Sequence, residues 1–310
     1  MDTVQISRWL RIIAQLFTRT RVGRALVFVS LPLALVAIAL YTPTYYPPIF
    51  DAQVHYNDNS WQQVSAKAVI KAADELNVPW LLVGSTPNEG TWKLKREDPQ
   101  RVIPMLVPGF SREDRYTWFN NPEIIKYIET EIRNRPYRGI GEFFLIDGQV
   151  NTPVVKRMVD LAVEHHLVLH ARSDPQALRQ LIMLDPSVRI LWAHAGMFTK
   201  PETINKLLYR YKNLWVEISH RGDVAPRGKL DSQWRELMAS HPDRFLLGSG
   251  TYSSKYWYQF RTYLSRYRGW LKDLPPELAE KIAYVNGLTL FGLDNGVIQT
   301  PVVNRRSGWK

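Results

Sequence analysis

Cysteine is absent from this 310-residue chain. The absence excludes a disulfide scaffold, a thiolate metal site, a cysteine nucleophile and a lipoprotein-type anchor. Low-complexity segments are also lacking, and no DNA- or RNA-reading motif accompanies the net charge of +11. We therefore expect no nucleic-acid partner. Attraction to anionic lipid headgroups is the simpler interpretation of the positive charge.

One long apolar run is present, ALVFVSLPLALVAIALY at residues 25–41, and it contains no charged residue. A helix of this length spans ~25 Å, slightly less than the ~30 Å hydrocarbon core of a bilayer. Residues 1–24 hold five arginines and one acidic residue, which predicts a basic cytoplasmic N-terminus and export of the rest. We predict a single-pass signal anchor in the cell (inner) membrane. A signal peptide cleaved at Ala37-Ile38-Ala39 is the alternative.

From residue 48 onward, short apolar runs alternate with amphipathic helical patterns. Each run is almost continuously hydrophobic, as expected for parallel strands covered on both faces. Eight such units predict a (β/α)8 TIM barrel over residues 49–295, after a proline-containing linker at 42–48 and before a tail at 296–310. An open doubly wound sheet usually carries a glycine-rich phosphate turn, which this sequence lacks. The predicted strands are 48–56, 80–85, 101–108, 138–145, 167–172, 188–194, 214–219 and 244–250.

Polar side chains that can bind metal ions end several of these strands. The carboxyl ends of barrel strands form one rim, where active sites lie. His55 ends the first strand, Glu142 lies on the fourth, and His170 and His194 lie on the fifth and sixth. Three imidazoles and a carboxylate converging on one rim are hard to explain by core packing alone. We therefore predict a functional site there.

Several segments resemble the amidohydrolase superfamily, specifically its amidohydrolase-related barrel group: FDAQVHY, GIGEF, LVLHAR, ILWAHAG, HPDRFLLGSG and IAYVNGLTLFGL. The resemblance runs from residue 50 to residue 293. It implies metal-activated water attacking an amide, ester or related bond, although some relatives are decarboxylases. Two positions depart from the family. Gln53 replaces the first histidine of a His-x-His pair, and Gly250 replaces a strand-eight aspartate.

The resemblance also implies which metal ligands remain. In the family, the His-x-His pair and the aspartate hold one ion, and the strand-five and strand-six histidines hold a second, with the strand-four carboxylate bridging. The second set survives as Glu142, His170 and His194, with His55 beside it. We therefore predict one divalent ion, zinc first, held by these four residues, with His194 and Glu142 as catalytic residues. Three ligands and an open position suffice for catalytic zinc.

The missing aspartate also takes a proton from the attacking water in the family. General-base assistance is worth about 10²- to 10⁴-fold, so a working hydrolase needs a substitute. Glu217, Asp147 and Glu89 are the candidates, because they lie on or after predicted strands.

Two further residues are predicted to contact a small-molecule substrate. Arg172 lies on the same side of its strand as His170, and its forked guanidinium suits a carboxylate or phosphate; a salt bridge at the rim is the alternative. His220 follows the seventh strand. Three functions stay open: an anchored, exported metal-dependent hydrolase with a reduced single-metal site, a catalytically inactive amidohydrolase-fold protein that binds a ligand or partner, and a metal-assisted decarboxylase.

Overall fold

The computed structural model describes residues 47–293. Eight parallel strands pair in chain order. The ring is closed between the last strand and the first, because the amide of Ala52 donates to the carbonyl of Leu247 and the amide of Gly250 donates to that of Gln53, both at 2.8 Å. The predicted eight-stranded barrel is therefore confirmed. The strands are β1 Phe50–His55, β2 Trp80–Gly84, β3 Val102–Leu106, β4 Gly139–Leu145, β5 Val168–Ser173, β6 Arg189–Trp192, β7 Leu214–Glu217 and β8 Phe245–Leu246.

Helices follow the strands and cover the outside of the barrel. The helices are α1 Asp58–Trp61, α2 Ala66–Glu75, α3 Glu89–Glu97, α4 Glu123–Asn134, α5 Pro153–Glu164, α6 Pro175–Leu184, α7 Pro201–Arg210, α8 Ser232–Ser240, α9 Ser254–Tyr258, α10 Phe260–Leu271, α11 Pro276–Glu280 and α12 Asn286–Phe291, with a π-helical turn at Lys281–Val285 between the last two. Short 3₁₀ turns lie at Glu113–Tyr116, Trp118–Asn120, Ala193–Gly196 and Pro226–Gly228.

The helix starts follow from local sequence signals. Helix α5 has proline in its first turn, and the Thr152 hydroxyl accepts a hydrogen bond from the Val155 amide, so an otherwise orphaned donor is satisfied. Asp174 caps α6 and Asp231 caps α8 in the same way. Each cap is worth about 1 kcal/mol. Caps of this kind fix where each strand-to-helix loop ends, and these loops form the barrel mouth.

The strands bury an aliphatic and aromatic core that includes Phe50, Leu81, Ile140 and Leu169, each at most 1% exposed. Fully burying side chains of this size contributes about 1.5–3 kcal/mol each. This core provides a rigid platform for the site residues at the carboxyl ends of the strands.

The predicted membrane segment at 25–41 and the basic segment at 1–24 lie outside the described residues. The same is true of the first part of the linker and of the tail. Among residues 47–293, no helix has the length and apolarity that a bilayer crossing requires.

Candidate functional site

A pocket of about 590 Å³ opens at the carboxyl ends of the strands. Five of the six residues predicted for the site line it, and they come from β1, β4, β5 and the segments after β6 and β7. These residues are His55, Glu142, Arg172, His194 and His220. The sixth, His170, is 3% exposed and lies close enough to Glu142 for the carboxylate to influence its pKa. The structure therefore brings the predicted residues together.

Local backbone geometry aims several of these side chains. Gln53 and His55 are two residues apart on β1, so strand alternation places them on one face. Glu142 lies at a bulge, where the register of β4 with β5 shifts. His194 and His220 have positive φ values of 54° and 59°. This left-handed backbone costs a non-glycine residue about 1–3 kcal/mol and is concentrated at functional sites.

Glu142 is the centre of a hydrogen-bond network. Its Oε1 accepts from His194 Nε2 at 3.1 Å, and its Oε2 accepts from the amide nitrogen of Gln53 at 2.8 Å. His55 Nε2 lies 3.0 Å from Oε2 and 2.9 Å from the Gln53 nitrogen. In either tautomer His55 Nε2 has a partner, because it accepts from Gln53 or donates to Glu142. Both oxygens of the carboxylate are therefore engaged.

A second carboxylate, that of Glu217, contacts the other ring nitrogen of His194, Nδ1. His194 Nδ1 lies 2.8 Å from Ser219 Oγ and 3.4 Å from Glu217 Oε2, and the Ser219 hydroxyl donates to that same oxygen at 3.0 Å. The His194 backbone amide also donates to Glu217 Oε2, at 3.1 Å. Glu217 is fully buried. The His194 ring is thus clamped between two carboxylates, and its orientation is fixed.

The electrostatics of this cluster follow from burial and pairing. Burial opposes charge on His194, but Glu142 and Glu217 outweigh it and raise its pKa to about 10. Burial likewise favours the neutral form of Glu142, yet the His194 and His55 rings hold its pKa well below the usual range. Burial lowers the pKa of His170 to about 4, and it also lowers that of His220. The two carboxylates thus favour the charged form of His194, whereas burial favours the neutral forms of His170 and His220.

The residues at the mouth meet the requirements of the metal ion that the family resemblance implies only in part. One observation favours an ion: within the described part of the chain, His170 Nε2 is buried and has no hydrogen-bond partner. Two oppose it. Both Glu142 oxygens are engaged, Oε1 by His194 Nε2 and Oε2 by the Gln53 amide, and no three His, Asp or Glu side chains between residues 47 and 293 form a metal-binding group. As arranged here, the residues do not fit a resident ion.

The place of the absent strand-eight aspartate is filled by another residue. Gly250 has a φ of +66°, and a Cβ added there would lie 2.1 Å from His220 Nε2. His220 therefore occupies the space that an aspartate side chain needs.

None of the three candidate general bases lines the pocket. Glu217 is buried beneath His194, Asp147 accepts a hydrogen bond from Gln180, and Glu89 pairs with Lys93 on the outside of α3.

Sequence reasoning missed the cationic and aromatic part of the pocket. Arg112 and Arg115 lie in the loop after β3, and Tyr252 and Tyr256 lie after β8. The signal was the length of the segment between β3 and α4, since long strand-to-helix loops carry binding residues in barrels. Glu217 was predicted only as a general base; its contacts with Ser219 and His194 were missed, although the two-residue spacing of Glu217 and Ser219 places both side chains on one face.

Comparisons with known proteins agree with this fold. A family model for amidohydrolases, Amidohydro_2, matches residues 127–293, more than half of the chain. A search of curated proteins gave no match.

Three solved structures illustrate the similarity. A probable 2-pyrone-4,6-dicarboxylic acid hydrolase from Acinetobacter baumannii with citric acid bound is 13% identical, with a TM-score of 0.57 over 79% of this chain and 99% of that one. A 2,6-dihydroxybenzoate decarboxylase complexed with 2,6-dihydroxybenzoate is 9% identical, with a TM-score of 0.55 over 80% and 100%. An amidohydrolase from Burkholderia multivorans with bound zinc is 13% identical, with a TM-score of 0.53 over 80% and 100%. At these identities the likeness shows the fold, and the family model shows that the chain belongs to the Amidohydro_2 amidohydrolase family.

Proposed function

We propose that this protein binds a small organic anion, a carboxylate or a phosphate ester with a flat apolar part, in the pocket at the barrel mouth. The observation that carries the proposal is Arg172. Its Nε is buried, and nothing among residues 47–293 accepts a hydrogen bond from it. A buried donor without an acceptor costs about 1–3 kcal/mol, and more when it is charged. An anionic ligand would remove that cost.

The charge of the pocket wall supports an anionic ligand. Three arginines line it, whereas Glu142 is the only carboxylate among the described lining residues and is already engaged. Arg112 lies 3.5 Å from Asp58, and Arg115 lies over the ring of Tyr116. The predicted alternative for Arg172, a rim salt bridge, has no counterpart within the described residues. The guanidinium instead lies 5.6 Å from the centre of the Phe144 ring.

Aromatic side chains supply the apolar part of the pocket. Tyr252 and Tyr256 pack at 4.3 Å between ring centres, and Trp118, from the loop after β3, and Phe144, from β4, also line the pocket. Flat ligands gain about 0.5–1.5 kcal/mol from an aromatic contact beyond the area they bury. Two solved relatives of the same fold hold citric acid and 2,6-dihydroxybenzoate, which are both organic acids.

The test compares matched ligands on the full-length chain in detergent. Benzoate, phenyl phosphate and the neutral benzamide are titrated calorimetrically, so that charge and the type of anion are varied separately. We expect benzoate or phenyl phosphate to bind and benzamide not to. Arg172→Gln should weaken anion binding about 10-fold, the equivalent of 1.4 kcal/mol, while Arg235→Gln on the exposed side of α8 should change nothing. Equal binding of benzamide, or an unchanged affinity in Arg172→Gln, would refute the proposal.

Single-metal hydrolysis is the second candidate. The buried Nε2 of His170 favours it, because within residues 47–293 this atom has no partner and an imidazole nitrogen is a common zinc ligand. A solved amidohydrolase of the same fold contains zinc. In this case the purified chain should retain about one equivalent of zinc, and His170→Ala should remove it together with esterase or amidase activity. Metal-free protein after zinc loading would exclude this candidate.

We further propose that residues 25–41 anchor the protein in the cell membrane with the barrel exported. The charge-free run and the arginines before it support this. Full-length protein should resist alkaline carbonate extraction from membranes, and its barrel should be cleaved by protease added to spheroplasts. Release of a chain that begins after Ala39 would support the cleaved signal peptide instead.

A further inference from the structure

We propose that Gln53 keeps a metal ion out of this site by making, through its side-chain amide, the contacts to His55 and Glu142 that an ion would otherwise make. The inference goes beyond anion binding and does not depend on it. It concerns what holds the polar residues of the mouth together.

The Gln53 side chain presents the wrong atom for a metal ligand. Its amide nitrogen carries two hydrogens and offers no lone pair, whereas its carbonyl oxygen could coordinate an ion. The nitrogen must face Glu142, since a carboxylate oxygen at 2.8 Å requires a donor. The carbonyl oxygen hydrogen-bonds neither Glu142 nor His55, and it is buried without a partner in the part of the chain that the structure describes.

The contacts of this amide consume the ligands beside it. It bonds Glu142 Oε2 and lies 2.9 Å from His55 Nε2, while His194 occupies Glu142 Oε1. An ion entering here would break these hydrogen bonds. Each buried donor left unsatisfied costs about 1–3 kcal/mol, which counts directly against metal affinity. The amide thus replaces a cation as the group that gathers the neighbouring side chains.

On the strand-eight side of the cluster, a second residue fills the space of a metal ligand. The His220 ring lies where a side chain at position 250 would project, with its Nε2 2.1 Å from the Cβ position of Gly250. A side chain at position 250 therefore has no space to reach the cluster from this side. Gln53 on β1 and Gly250 after β8 therefore both disfavour metal binding.

Metal content is the direct test. Full-length wild type, Gln53→His and the exposed control Gln63→His are loaded with Zn²⁺ or Mn²⁺, desalted, and measured by inductively coupled plasma mass spectrometry. We expect no stoichiometric metal in wild type and in Gln63→His, and about one equivalent in Gln53→His, because the new imidazole offers a lone pair where the amide offers hydrogens. One equivalent in wild type that is lost in His170→Ala would overturn the proposal. No uptake by a folded Gln53→His would also overturn it.

A second variant keeps the test decisive if Gln53→His does not fold. Gln53→Ala removes the donor without adding bulk, and it should bind Zn²⁺ at least about 10-fold more tightly than wild type in competition with a chromophoric chelator. An unchanged affinity would contradict the proposal. Anion titrations in excess EDTA separate the two ideas: wild type that binds both zinc and benzoate defeats only the present inference, and wild type that binds neither defeats only the anion-binding function.

Discussion

The two sides of the barrel mouth differ in how far they keep the family pattern. The side built by β4, β5 and β6 retains Glu142, His170 and His194, whereas the side built by β1 and the segment after β8 keeps His55 but carries Gln53 and Gly250 at two of the family's ligand positions. The altered side still holds the retained side in place. Gln53 bonds Glu142 directly, so the two sides of the mouth form one hydrogen-bonded cluster.

The comparison teaches that the identity of a ligand residue does not fix its partners. Glu142 has the identity the family needs, and here its two oxygens accept from His194 and Gln53. What a carboxylate does depends on the groups that face it. In this chain they come from both sides of the mouth, His194 from the retained side and Gln53 from the altered side.

The largest effect should come from removing the carboxylate at the centre of the cluster. Glu142→Leu leaves the His194 charge without its nearer partner and the Gln53 amide without an acceptor. Breaking a buried charged pair in this way costs about 3–5 kcal/mol. Gln53→Leu, on the altered side, removes a neutral donor and should cost about 1–3 kcal/mol. Urea unfolding of both variants at neutral pH measures the difference. Equal losses of unfolding free energy in the two variants would mean that the retained side does not contribute more to stability than the altered side.

Restoring the family aspartate should destabilise the protein. In Gly250→Asp the new side chain must displace the His220 ring and accept a φ of +66°, at a cost of about 2–4 kcal/mol. Gly148→Asp is the matched control, because Gly148 also has a positive φ, of +85°, and has nothing within 4 Å of its Cβ position. Thermal unfolding should separate the two variants clearly. A stable Gly250→Asp protein would show that His220 does not hold that space.

The altered side also contains a buried acid whose titration should be measurable. Burial raises the pKa of Asp51 from 3.8 to about 7, and its Oδ1 accepts from the Ser249 and Gln53 amides. The folded state therefore binds the proton more tightly than the unfolded state. The stability this provides is complete below pH 3.8 and is lost as the pH rises to about 7.

Asp51→Asn should remove that pH dependence. It keeps the Oδ1 acceptor but introduces a buried amide, so we expect a net gain of about 2 kcal/mol at neutral pH and none in acid. Asp160→Asn, on the exposed side of α5, controls for the change in charge. Unfolding free energies measured from acid to neutral pH should show a flatter profile for Asp51→Asn alone. Parallel profiles for Asp51→Asn and wild type would contradict the assignment.

Sequence patterns predicted the strands that carry the site and the positions of its residues better than the hydrogen bonds between those residues. Hydrophobic runs located all eight strands, because parallel barrel strands are buried on both faces, and rim position then identified His55, Glu142 and His194 as neighbours. The role of Gln53 could not be predicted in this way. It depends on which amide atom faces Glu142, and that is set by packing between strands 89 residues apart.

Backbone conformation accounts for other features that were not predicted. His220 reaches the space beside Gly250 because its own φ is +59°, a value that no periodicity in the sequence indicates. Arg112 and Arg115 reach the pocket from a loop with short 3₁₀ turns, which lacks the regular spacing that locates helices and strands.

Benzoate binding with and without metal tests the central claim most directly. Full-length protein is titrated with benzoate once in excess EDTA and once after loading with Zn²⁺. An arginine-lined pocket that works without an ion predicts the same affinity in both conditions, with about a 10-fold loss in Arg172→Gln. Binding that appears only after zinc loading would contradict the account, because the anion would then be held by a metal that the hydrogen-bonded cluster is expected to exclude.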